Sequence, residues 1–241
     1  MRKPASMSFP LERARRLAGA LFFCLLAAAA PARSQAQVTG EKRTGTAVVI
    51  DGDTLDIAGE HLRLEGIDAP EIAQSCTGGD GKPWPCGREA ARALRRLTTG
   101  HAVVCDDKGR DTYGRLLAVC TVEGEELNAA MVQIGYAWAF IKFSTAYVAQ
   151  ENQARAQHLG IWQGPAETAW DFRDRTWREA QKAVANGCVI KGNISNGGRI
   201  YHLPWSPWYA RITIDSSRGE AWFCSESEAR AAGWRPSRAH D

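Results

Sequence analysis

Apolar and polar positions alternate loosely across residues 45–57, where β-branched side chains are dense. Period-two alternation of this kind predicts strands. Asp51-Gly52-Asp53 interrupts the run as a turn. Ala58-Gly59-Glu60 predicts a hairpin turn into a strand over 61–67, with Leu62 and Leu64 on one face and Arg63 and Glu65 on the other. The period then lengthens. Ala90, Ala91, Leu94 and Leu97 share one face of a predicted helix over 87–97, and Gly100 suits its C-terminal cap. Strands are predicted at 102–105 and 116–122 around a polar loop. A short helix follows over 127–134, with Leu127, Ala130, Met131 and Ile134 inward. Ser144 is placed to cap a third helix that stops at Gly160. A fourth, over 168–185, carries Trp170, Trp177, Ala180 and Val184 at helical spacing.

Strands first, with helices inserted and appended, is the order of a small Greek-key β-barrel decorated by helices, an α+β arrangement. From Cys188 the density of Gly, Asn, Tyr and Trp rises, and turn signals such as Asn196-Gly197-Gly198 appear. A second, small α+β module is expected there. Ser225 and Glu228 form a capping box for its short helix.

The first residues read as a secretory signal. Arg2, Lys3, Arg13, Arg15 and Arg16 make a positive region, residues 17–30 are apolar, and Ser34-Gln35-Ala36 offers a cleavage site. The apolar run is short for a membrane span. The expectation is an exported chain, periplasmic or extracellular, with no stable membrane insertion after cleavage. This segment also distorts the charge. Residues 1–36 hold six of the 30 basic side chains and one of the 27 acids, so the remainder carries 24 and 26, a net −2. Binding to nucleic acid cannot rest on net charge and must rest on a local patch.

Cys24 leaves with the signal, and Cys76, Cys86, Cys105, Cys120, Cys188 and Cys224 remain. An even number in an exported protein predicts disulfides. Pairing by neighbourhood joins Cys76 to Cys86 after Glu71, Cys105 to Cys120 around the hairpin loop, and Cys188 to Cys224 across the last module.

The candidate chemistry lies in short motifs. Asp51-Gly52-Asp53-Thr54 comes first, then Arg63 followed by Asp68-Ala69-Pro70-Glu71, then Asp111-Thr112-Tyr113-Gly114-Arg115. Two aspartates offer oxygen ligands to a hard cation. A glutamate is available to activate water, and two guanidinium forks match phosphate oxygens. That is the inventory of a metal-assisted phosphodiesterase. Taken singly, each motif also reads as an ordinary turn, solvated strand face or loop acid.

Taken together and in this order, they resemble the staphylococcal nuclease family over residues 45–162. The resemblance implies an OB-fold, five-stranded Greek-key barrel and a calcium-dependent endonuclease acting on DNA and/or RNA. By position it implies Asp53 and Asp68 as Ca2+ ligands, with the Ala69 backbone carbonyl as a third donor where the best-known members carry threonine. It implies Glu71 as the residue that orients or deprotonates water, and Arg63 and Arg115 as the phosphate-stabilising pair. Tyr113 would lie near the nucleotide. Thr112 stands where a family lysine is expected, and Phe140 is the candidate for the base-stacking aromatic. Every residue given a role lies before Trp162.

The implied organisation is a signal peptide over 1–36, a nuclease-like domain over 43–165, a connecting helix over 166–186 and the small module over 187–237. Two other readings remain open on sequence: a non-catalytic nucleic-acid-binding module on the same barrel, and a cell-envelope interaction protein defined by its last module. Nothing in the sequence sets the oligomeric state.

Overall fold

The structure, a computed structural model, describes residues 41–112, 114–184 and 187–237. The signal segment and Tyr113 lie outside the described residues. The chain runs β1 (Lys42–Gly45), β2 (Ala47–Val49), β3 (Thr54–Ile57), β4 (Glu60–Leu64), β5 (Ile67–Asp68), β6 (Cys76–Thr77), β7 (Pro83–Trp84), α1 (Cys86–Thr98), β8 (Val103–Arg110) and β9 (Leu116–Val122). It continues through β10 (Glu125–Glu126), α2 (Leu127–Gln133), β11 (Trp138–Ala139), α3 (Val148–Ala156) and α4 (Ala169–Lys182). The last part is β12 (Ile190–Ser195), β13 (Gly198–His202), β14 (Ala221–Phe223), α5 (Glu226–Ala231) and β15 (Arg235–Pro236).

The main sheet has the order β1-β8-β9-β4-β3-β2, with β10 added beside β9. β1 and β2 are separated in the chain by Thr46 alone, yet they stand at opposite ends of that order. One bent strand therefore meets both edges, and the sheet closes. Counting β1 and β2 as that single strand leaves the five strands of the expected barrel. All its pairings are antiparallel except β4 with β9, which run parallel with Leu62 opposite Leu116. Closure removes exposed sheet edges.

Alternation fills the interior. Leu55, Leu62, Leu64, Val103, Leu116, Ala118 and Cys120 point inward and meet Ala90, Leu94 and Met131 from the helices. Each large aliphatic side chain buried this way contributes about 1.5–3 kcal/mol. α1 ends with Gly100 in the left-handed region at φ 84°, as its cap position requires.

The inward face of α2 differs from the periodic reading. Leu127 and Met131 are buried as expected, but Ile134 is 37% exposed while Asn128 is 0% exposed. A hydrogen-bond network turns the helix. The Cys120 amide donates to Asn128 Oδ1 at 3.1 Å, and Asn128 Nδ2 donates to the carbonyls of Glu65 at 2.9 Å and Ala118 at 3.1 Å. These bonds pin the β4–β5 turn to β9. Asn128→Ala strands the Cys120 amide and the Glu65 carbonyl, while the Ala118 carbonyl keeps the Glu65 amide at 2.9 Å, so urea denaturation should show a loss of about 2–4 kcal/mol. A loss under about 1 kcal/mol would mean that water replaces the amide there.

α3 begins after Tyr147, and Ser144 does not cap it. Ser144 Oγ instead accepts from the Ala146 amide at 3.2 Å. Thr168 caps α4, accepting from the Asp171 amide at 3.3 Å. A minor core under α4 gathers Trp138, Ile161 and Ala169 with the disulfide of Cys76 and Cys86. The final module is a sheet in the order β14-β12-β13-β15, its core made by Ile190, Tyr201, Phe223, Ala229 and Trp234. Trp177 of α4 packs against that core and faces Trp205 at 6.1 Å. The structure also joins Cys105 to Cys120 and Cys188 to Cys224. Three disulfides suit an oxidising, non-cytoplasmic compartment. Among the described residues, no helix is long and apolar enough to cross a membrane.

Candidate active site

The Asp51–Asp53 turn begins the site. The Asp53 amide donates to Asp51 Oδ1 at 3.0 Å, which curls the turn inward. Gly52 is required by close approach, because a Cβ there would stand 2.6 Å from Ala69 Cβ and 2.8 Å from Ala90 Cβ. The turn is thereby pressed between α1 and the segment after β5. Asp53 is buried, at 3% exposure.

β4 pairs with β3 so that Arg63 stands opposite Thr54, next to Asp53. Its guanidinium bridges both candidate metal ligands. Nη1 donates to Asp53 Oδ1 at 2.6 Å and Nη2 donates to Asp68 Oδ1 at 2.7 Å. Asp68 has 0% exposure and is fixed by the pairing of β5 with β11, where Trp138 lies across from it. The Ala69 amide donates to Asp53 Oδ2 at 2.8 Å.

Glu71 sits on the loop that follows. Its amide donates to Gln74 Oε1 at 3.2 Å, and its carbonyl accepts from the Gln74 amide at 2.7 Å. Gly87, in the first turn of α1, packs directly on that carbonyl, and any Cβ there would overlap it. The Cys76–Cys86 disulfide ties the loop to the same helix end. Arg115 is set by another turn. Its amide and Nε donate to the Asp111 carboxylate at 2.9 Å and 2.7 Å. β9 starts at the next residue and runs parallel to β4 with Leu116 opposite Leu62, so Arg115 enters the pair just before Leu62, one alternation ahead of Arg63. It lies near enough for its charge to stabilise ionised Asp53.

Sequence reading missed Arg173. This residue of α4 reaches the heart of the cluster. Its Nη2 donates to Asp68 Oδ2 at 2.6 Å, and its Nη1 to Asp68 Oδ1 at 3.1 Å and Glu71 Oε1 at 2.7 Å. A usable signal existed. Arg173 lies between Trp170 and Trp177 on the stripe that faces the protein, where an unpaired charge is costly. Phe140, the candidate stacking aromatic, has its ring stacked on Trp170 of the same helix at 5.5 Å and edge-on to Phe143 at 4.9 Å.

Electrostatically the site is short of positive charge. Burial raises the pKa of Asp51, and the charge of Glu71 adds to the effect. Burial raises Asp53 despite Arg63, and raises Glu71 despite Arg173. Burial opposes the charged forms of Arg63 and Arg173, but the carboxylates around them more than offset it, and both stay cationic. Among the described residues, no three His, Cys, Asp or Glu side chains stand together as a ready-made metal cage. The carboxylates are drawn onto guanidinium groups instead. The donor chemistry nonetheless suits a hard cation: all-oxygen, buried, acidic and under-compensated.

The comparisons agree with this arrangement. Residues 61–164 match the family model described as staphylococcal nuclease homologue, and residues 178–236 match one described as ArfC. The succinoglycan biosynthesis protein ExoI of Rhizobium meliloti is 36% identical over 131 residues, covering 52% of this chain and 67% of the relative. The micrococcal nuclease of Shigella flexneri is 33% identical over 156 residues, covering 57% and 81%. An uncharacterized endonuclease of Haemophilus influenzae is 32% identical over 152 residues, covering 59% and 76%. With a closed barrel that brings the three motifs to one end, and relatives matched over most of their length, the chain belongs to the staphylococcal nuclease family.

Proposed function

We propose that the chain is an exported, calcium-dependent endonuclease that hydrolyses phosphodiester bonds of DNA and/or RNA. The observation that carries this reading is the convergence of Asp53, Arg63, Asp68 and Glu71 into one bonded cluster, with Arg115 at its edge. Asp53, Asp68 and the Ala69 carbonyl would hold Ca2+, which supplies polarisation of a phosphoryl oxygen when bound. Glu71 orients the attacking water and takes its proton. Its burial moves the carboxylate toward the pH range where it exchanges protons. Arg63 and Arg115 set their forks on the non-bridging oxygens and meet the charge that builds there. Tyr113 lies against the nucleotide in this reading. Residues 43–165 are the nuclease domain, 166–186 the connection and 187–237 an accessory module. Residues 1–36 direct export to the periplasm or beyond.

The test is direct. Chain lacking residues 1–36 is incubated with DNA and with RNA, in calcium and in chelator. Cleavage in calcium with 3′-phosphate products, abolished by chelator, is expected. Intact substrates in calcium, or cleavage unchanged by chelator, would remove the proposal.

A further inference from the structure

The contact between Arg173 and the acidic cluster has a functional meaning that rests on the proposed calcium site. Asp68 is a proposed calcium ligand and Glu71 the proposed base, and one guanidinium engages both. Every carboxylate oxygen of Asp68 is within hydrogen-bond distance of Arg173. A divalent cation ligated by the same oxygens would sit against that fork, and two cationic groups on one pair of oxygens repel strongly where water is scarce. We propose that Arg173 is a built-in competitor of the divalent cation: docked, it holds the site at low affinity, and cation binding drives it off Asp68 and Glu71.

The surroundings fit a side chain that exchanges while its helix stays in place. The Arg173 side chain is 22% exposed, so the guanidinium has a route to solvent. The helix itself is anchored on both sides of this residue. Trp170 stacks on Phe140 and meets Trp138 edge-on at 6.1 Å. Gln74 Nε2 donates to the Glu167 carbonyl at 2.7 Å, just before the helix, and Trp177 packs against the last module. α4 also begins after residue 164, where the match to the nuclease family model ends. The competitor is thus delivered by a part of the chain outside the matched barrel. Trp170 and Trp138 provide an optical reporter, because both rings adjoin the segment that would respond.

Calcium titration of the full chain lacking residues 1–36, by calorimetry and tryptophan fluorescence well below the melting temperature, tests the proposal. Arg173→Gln keeps a polar side chain and removes the charge. It should bind calcium at least about tenfold more tightly than wild type, and calcium should raise its melting temperature more than that of wild type. Arg173→Lys, with the charge but without the fork, should fall between. Arg175→Gln, on the same helix but paired with Glu167 and Glu179, should match wild type. A purely structural Arg173 would lower the melting temperature without changing calcium affinity. Equal or weaker calcium binding by Arg173→Gln overturns the competition and leaves the nuclease reading standing. A wild-type chain that neither binds calcium nor cleaves nucleic acid in its presence overturns both.

Discussion

Glu71→Gln should abolish most turnover and leave the fold at least as stable as before. The amide keeps the shape of the side chain and an oxygen that accepts from Arg173, whose second partner, Asp68, is untouched. It cannot take a proton from water. Loss of a general base typically costs about 100- to 10,000-fold in rate, and that is the expected fall in kcat, with substrate affinity little changed. Stability should move the other way with pH. Burial, with smaller contributions from Asp53 and Asp68, raises the Glu71 pKa in the folded chain, and Arg173 only partly opposes it. A raised carboxylate binds its proton more tightly folded than unfolded. The stability this gives is fully present below the unfolded value, about 4.3, and is lost as pH rises through the folded one. At pH 7 wild type therefore carries a penalty that glutamine does not. The variant should melt at or above wild type at pH 7, with the advantage fading as pH falls toward 4. Near wild-type turnover would take Glu71 out of the chemistry. A variant that melts clearly lower at pH 7 would show that the Arg173 ion pair outweighs the burial.

Much of the barrel and the cluster could be read in advance because their signals are local. Leu62 and Leu64 alternate with Arg63, and that alternation alone puts the arginine on the face where Asp53 and Asp68 meet it. Asp51, Gly52 and Asp53 fix their turn through a bond two residues long. Other features are decided by contacts that no local window contains. Asn128 turns inward because the Glu65 and Ala118 carbonyls and the Cys120 amide converge on it, a tertiary effect that overrides the apolar period of α2. β8 runs on to Arg110, past the predicted end at 105, because β9 offers it a ladder with an irregularity between Asp107 and Arg110. Arg173 is the extreme case, at 105 residues from Asp68. Its place on the stripe of Trp170 and Trp177 marks it as facing the protein, but nothing local names its partners. Only the docking of α4 brings Asp68 and Glu71 to it.

Arg63→Ala should be the most damaging single substitution in the cluster, because this side chain ties the fold together at Asp53 and Asp68 and is also a proposed phosphate-stabilising group. Its guanidinium is the only group bonded to Asp53 and Asp68 together among the described residues. Removing it leaves two buried carboxylates facing each other, with Asp53 held by Thr54 and the Ala69 amide and Asp68 by Arg173. Breaking a buried ion pair on one side typically costs about 3–5 kcal/mol, a large share of the stability of one domain. Urea denaturation at pH 7 should show a loss of that size. The loss should shrink as pH falls, because Asp53, already raised by burial, then takes up a proton and no longer needs a partner. The rate should fall separately, by about 100- to 1000-fold, because one of the two proposed phosphate-stabilising forks is gone. Arg63→Lys distinguishes the two losses. A lysine keeps the charge and should recover part of the stability, but it presents no planar fork and should recover little of the rate. Restoration of both by lysine would mean that charge alone matters at this position. A stability loss that is independent of pH would mean that the packing of the arginine, and not its pairing with Asp53 and Asp68, supports the fold.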